Sequence, residues 1–128
     1  MNLQQYFTTQ QGTGIMSTAD SLGRVNTAIY ARPHILEDGT LAMVMRDRLT
    51  HKNLQENPHA AYLFIEASPG HQGVRLYLKK VREDDDPALI QQMTRRTLTA
   101  EDDKAKGPKF VVYFDVVKAL KLIGGEEI

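Results

Sequence analysis

Ile15-Met16-Ser17-Thr18-Ala19-Asp20-Ser21-Leu22-Gly23-Arg24-Val25-Asn26-Thr27-Ala28-Ile29-Tyr30-Ala31 decides the fold class. Two short segments rich in apolar and β-branched residues flank Asp20–Gly23. That linker has the composition of a turn, and Gly23 accepts positive φ without steric cost. Ile15–Ala19 and Val25–Ala31 therefore read as the two strands of an antiparallel hairpin. Pro33 then ends the strand or puts it at an edge. Asp38-Gly39 lies between apolar segments in Glu37–Thr40, a second hairpin signal, and Leu41–Met45 is the strand that follows it.

The flanks extend the pattern. Upstream, Leu3, Tyr6 and Phe7 share one side of a short helix over Asn2–Gln10, and Gly12 and Gly14 punctuate it. Downstream, Thr50–Glu56 reads as a short helix with Thr50 as N-cap and Asn57-Pro58 as stop. Ala60–Ile65 is an uninterrupted apolar run, the expected form of a strand buried on both faces. Val74–Val81 alternates: Val74, Leu76 and Leu78 point one way, Arg75, Tyr77 and Lys79 the other. Asp86-Pro87 opens a helix that runs to about Leu98, with Leu89, Ile90 and Met93 as its apolar stripe. Thr99–Pro108 reads as a mobile loop, Phe110–Val117 as the last strand, and Gly124-Gly125 as the start of a frayed tail. The order is helix, three strands, short helix, two strands, helix, strand. About six strands with few helices imply a small closed or partly open barrel, because closure removes sticky edges.

Composition limits the function. The chain has 128 residues, 16 basic and 16 acidic side chains and no cysteine. That length suits one domain, 1–128. The missing cysteines exclude disulfide scaffolds, zinc fingers, iron–sulfur ligation and a cysteine nucleophile. Balanced charge argues against a nucleic-acid partner. With no apolar run near 18 residues and no signal-peptide pattern, a cytoplasmic protein with no membrane partner is expected.

The segment with chemistry to offer is Met43-Val44-Met45-Arg46-Asp47-Arg48-Leu49-Thr50-His51-Lys52-Asn53-Leu54. It runs from a strand end through a basic turn into a helix start. Free amides at a helix N-terminus suit an anion, phosphate above all. Thr50 can donate a hydroxyl, and Arg46 or Arg48 a bidentate guanidinium. Lys52 stands in the first helical turn, where a cation is unfavourable unless an anion is near. The plainer alternative is a capped surface helix with solvated basic residues.

The elements Gly14–Ala19, Gly23–Ala28, Asp38–Leu41 and Thr50–Pro58 together resemble the pyridoxamine 5′-phosphate oxidase-like, FMN-binding split-barrel family. The most specific is Ser/Thr-x-Lys-x-x-Asn-x-x-x-Asn-Pro before an apolar strand, matched here by Thr50, Lys52, Asn53 and Asn57-Pro58, with the first Asn two places early. The resemblance covers about residues 10–82 and, more loosely, 109–117. It implies a mainly β, Greek-key antiparallel split barrel with a few helices. It also implies one FMN per subunit in a groove at a homodimer interface. Asn26, Thr27 and Ala28 would lie beside the flavin ring, and Met43, Val44 and Met45 would present backbone to its polar edge. Arg46, Arg48, Thr50 and Lys52 would surround the phosphate, with His51 between two of them and free to point either way. Arg46 stands where the family often has Thr. The chain is shorter than pyridoxamine phosphate oxidase and lacks its C-terminal Arg-Leu-x-Pro-type element, so that activity is not expected. A flavin-dependent oxidoreductase or electron carrier is, with an unknown small-molecule or protein redox partner.

Two alternatives stand beside it: a split barrel that binds F420 or haem, and a dimeric binding module without a cofactor. His34, His51, His59 and His71 lack metal-ligand spacing and read as surface or loop histidines, His51 excepted by its motif position. Glu83–Asp86 reads as a solvated run that caps the next helix, Arg75 and Tyr77 as one half-exposed sheet face, and Arg95-Arg96 as solvated.

Overall fold

The computed structural model describes residues 1–94 and 98–128. Its elements are α1 (Leu3–Thr9), β1 (Gly12–Ala19), β2 (Val25–Tyr30), β3 (His34–Ile35), β4 (Leu41–Arg46) and α2 (Leu49–Glu56). These are followed by β5 (His59–Glu66), β6 (Gly73–Asp84), α3 (Pro87–Met93), α4 (Ala100–Ala105) and β7 (Lys109–Lys121). The seven strands form one antiparallel sheet in the order β2-β1-β5-β6-β7-β4-β3. β5, β6 and β7 are neighbours in chain order and β4 lies beside β7, a Greek-key arrangement. The sheet curls into a split barrel, mainly β with a few short helices.

The expected hairpin is present. β1 pairs with β2 from Gly14↔Tyr30 to Ala19↔Val25. Gly23 closes the turn at φ 83°, and the Asp20 carboxylate accepts from the amides of Leu22 and Arg24. Gly14 is required by packing, because a Cβ there would overlap the Tyr62 hydroxyl.

Alternation puts one side of each strand inside. Met16, Tyr62, Phe64, Val74, Leu76, Leu78, Val112 and Phe114 meet in the barrel core with Leu41, Met43 and Met45 of β4. Phe7 of α1 closes one part of it against Tyr62 and Phe64. A smaller cluster outside β4 and β7 joins Ala42, Val111 and Tyr113 to Ile90 of α3.

Several expectations change. β5 is not buried on both faces: Ala60, Tyr62 and Phe64 are buried, whereas Ala61, Leu63 and Ile65 are only half-buried. β6 reaches Asp84 and β7 reaches Lys121, each beyond its expected end, because they pair with one another through two register shifts. Thr99–Pro108 is not a loop throughout. Thr99 caps α4 by accepting from the Asp102 amide, and Glu101, Asp102 and Asp103 stand in its first turn, where acids favour the helix dipole. α3 ends at Met93, so the expected continuation to Leu98 is absent up to Thr94; Arg95 and Arg96 lie outside the described residues. The tail folds back through a Leu120↔Glu127 bridge. Asp86 caps α3 and Pro87 opens it, as the sequence implies.

Candidate functional site

β4 ends at Arg46, and a turn delivers the chain into α2. Arg48, not Thr50, is the N-cap, and its side chain makes no capping hydrogen bond. The helix therefore begins with backbone donors that no side chain of the cap satisfies. Arg48 and Lys52 flank this start, both exposed, and neither forms an ion pair among the described residues.

The other residues of the basic turn are engaged. The Arg46 guanidinium donates to the carbonyls of Asp103 (3.1 Å) and Gly107 (2.9 Å) and to the Asp103 carboxylate (2.7 Å). Lys109 reaches the same carboxylate at 2.9 Å, and these two cations hold Asp103 below the usual carboxylate range. Arg46 thus faces α4 and the start of β7. Thr50 is buried one residue inside the helix, and its hydroxyl accepts from the Asn26 amide at 3.4 Å. Tyr30 completes this contact. Burial pushes its phenol up, while the Thr50 hydroxyl and the Arg48 charge partly restrain the shift. Asn53, also buried, donates to Thr18 at 3.1 Å and ties α2 to β1.

His51 points inward. Its ring stacks on Phe110 and lies between the carboxylates of Asp47 and Glu83, each 3.0 Å from a ring nitrogen. Burial pushes Glu83 up, but hydrogen bonds from Lys80 (2.5 Å), Gln55 (2.8 Å) and His51 outweigh it and bring the carboxyl down to about 2. A carboxyl lowered in the folded state stabilises above its unfolded value, near 4.5, and that contribution is lost as pH falls toward 2. Glu83→Gln is therefore expected to lower stability by about 1–2 kcal/mol at pH 7, the scale of charged hydrogen bonds in a partly exposed network. The wild-type-minus-variant difference should shrink between pH 4.5 and 2 in urea melts; a constant difference would remove Glu83 from this role.

The remaining candidates divide by alternation. On β2, Asn26 and Ala28 are half-buried on the side that carries Tyr30, and Thr27 is exposed on the other. On β4, Met43 and Met45 are buried in the core and Val44 packs toward α3, so these residues offer backbone only. Among the described residues, β3 pairs with Leu41 and Ala42 of β4 and not with Met43–Arg46. A small cavity of about 30 Å³, lined by Ala31, Arg32, His34, Met43, Val44 and Met93, lies along this edge. It has room for a water molecule and not for a ring system. The larger depression around Glu66, His71 and Lys121 lies where β5 ends and β6 begins, away from α2, and its Lys121 is paired with Glu126 at 2.6 Å.

The structure thus brings Asn26, Tyr30, Arg48, Thr50 and Lys52 to one end of the barrel beside the α2 start. It turns Arg46 and His51 toward other partners. Tyr30 belongs to no motif in the sequence, but its position two residues beyond Ala28 on a strand puts both on one face.

No family model matches the chain, and no curated protein does. Solved structures do. An FMN-binding protein from Syntrophomonas wolfei subsp. wolfei superposes with a TM-score of 0.76 at 18% identity, covering 95% of this chain and 84% of that one. A pyridoxamine 5′-phosphate oxidase-like protein from Lactobacillus delbrueckii gives 0.66 at 13%, covering 94% and 92%. This chain has the pyridoxamine 5′-phosphate oxidase-like, FMN-binding split-barrel fold. The heme storage protein HutZ from Vibrio cholerae shares that fold, with a TM-score of 0.65 at 15% identity over 94% of each chain. No helix among the described residues is long and apolar enough to cross a membrane.

Proposed function

We propose that this split barrel binds FMN and serves as a flavin-dependent oxidoreductase or electron carrier. The observation that carries the reading is the start of α2, which no N-cap side chain satisfies, flanked by Arg48 and Lys52, which form no ion pair among the described residues. Free amides with two cations fit a phosphate monoester, which a haem lacks. The edge of β4 at Met43–Met45, beyond its pairing with β3, would offer backbone groups to a polar ring edge, and Asn26 adds a side-chain amide. Bound flavin supplies hydride or one-electron chemistry. The chain's residues hold its phosphate, present hydrogen bonds to its ring and shield one side from water.

F420 and haem are the rival ligands. His51 is held by two carboxylates and His34 by the Met93 carbonyl at 2.7 Å, so an axial haem ligand would have to come from the exposed His59 or His71.

A second copy completes the groove in this reading. The side of β2 that faces away from α2 carries Val25 and Ile29, 81% and 78% exposed, on an edge strand. An apolar edge of this kind calls for a cover. Sedimentation with detection at flavin wavelengths tests both parts. After addition of FMN, the flavin signal is expected to move with a species twice the 14.4 kDa chain mass. Free-running flavin would sink the cofactor reading, and flavin on a single chain would sink the dimer. A Soret band on the protein as purified would decide for haem.

A further inference from the structure

We infer that His51 is a positioning residue of the anion site, a proton-dependent clamp that fixes the start of α2 against β6 and β7. The inference rests on the phosphate reading above. His51 is 6% exposed, and its ring stacks on Phe110 of β7 at 4.2 Å with planes 6° apart. Nδ1 lies 3.0 Å from Asp47 in the turn before α2, and Nε2 lies 3.0 Å from Glu83 on β6. An ionised carboxylate only accepts, so both contacts are hydrogen bonds only while both ring nitrogens carry protons. Loss of one proton sets a lone pair against a carboxylate, and one of the two ties is lost.

The other groups at the ring do not replace it. Gln55 of α2 lies 3.2 Å from Nε2 and its amide nitrogen only donates; one of its two protons goes to Glu83 at 2.8 Å and the other is shared with the His51 carbonyl at 3.3 Å, so a one-proton ring gains there no more than a shared contact in place of its carboxylate tie. Lys80 of β6 is paired with Glu83 at 2.5 Å and holds that carboxylate in place in either state. Phe110 brings no charge. The second proton of His51 therefore decides whether the turn and helix are bound at both ends, at Asp47 and at Glu83. Asp47 directly precedes Arg48, the N-cap whose guanidinium and following amides would hold the anion in the phosphate reading. The two-proton ring also offsets two carboxylates that would otherwise repel a phosphate nearby.

Two measurements test the clamp. In nitrogen-15 spectra of the protein without ligand, both His51 ring nitrogens are expected to carry protons at pH 6; a single-proton ring there overturns the inference. The second is affinity for FMN relative to riboflavin from pH 6 to 9, in wild type and His51→Gln. Riboflavin cancels ring binding, and the variant cancels titration of the ligand's own phosphate. The wild-type preference for FMN should fall about 10-fold more than that of the variant, the scale of one charge-assisted hydrogen bond. Parallel curves overturn the clamp's role at the anion site. If His51→Gln does not fold, Asp47→Asn, at an exposed position, should flatten the same curve. If wild type binds neither flavin, the FMN reading fails, and the spectra alone decide the clamp.

Discussion

Phe64→Ala is expected to destabilise the chain by about 4 kcal/mol, the upper range for a buried aromatic truncated to a methyl. Phe64 is fully buried at the centre of β5. It meets Phe7 edge-on at 5.3 Å and Tyr6 at 5.9 Å, and Phe7 in turn meets Tyr62 at 6.1 Å. These contacts attach α1 to the barrel, and the Tyr6 hydroxyl adds a 2.6 Å hydrogen bond to Glu66 on the same strand. Removing the Phe64 ring leaves a cavity between helix and sheet that neither can close, because β5 is fixed by β1 on one side and β6 on the other. Phe64→Leu keeps part of the volume and should cost about 1–2 kcal/mol. Urea denaturation measures both, and hydrogen exchange should show α1 losing protection first in the Ala variant. A loss below 1 kcal/mol would mean that β5 presents its other face to the core.

That register illustrates how far the sequence could be read. Val74, Leu76 and Leu78 declare their face because Arg75, Tyr77 and Lys79 alternate with them, and the structure buries that set. Ala60–Ile65 has no polar partner residues, so periodicity cannot separate one buried face from two. Asp86-Pro87, Asn57-Pro58 and the turn at Asp20–Gly23 act within a few residues and were legible for that reason. β3 has two residues and exists by pairing with β4, which a local window does not register. α4 had a legible signal, Thr99 followed three residues later by Asp102, but its six residues bury no apolar side chain and the polar composition outweighed the cap.

The site divides in the same way. A basic strand-to-helix turn is visible in the order of residues. Which cations remain free is not, because Asp103 is 57 residues from Arg46 and Glu83 is 32 residues from His51. Thr50 suits an N-cap by type, yet the helix starts one residue earlier and buries it against Asn26. The family resemblance marks the region as a candidate; long-range pairs sort the residues within it.

That sorting sets the largest expected effect on binding. Arg48→Ala with Lys52→Ala should weaken FMN about 100-fold and leave riboflavin nearly unchanged, since two charge-assisted contacts to a phosphate are together worth about 3 kcal/mol. The loss should be largest at low salt, because both side chains are exposed and screened. Arg46→Ala is the contrasting case. Its donors are taken by Asp103 and Gly107, so it should shift FMN affinity by no more than a few-fold while lowering stability, by freeing α4 and Gly107 from the end of β4. Fluorescence titration with both ligands separates the outcomes. A hundred-fold loss in Arg46→Ala with retained affinity in the double variant would reverse the assignment, and would require Arg46 to leave Asp103 when the phosphate arrives. Equal losses for FMN and riboflavin would locate Arg48 and Lys52 at the ring instead of the phosphate.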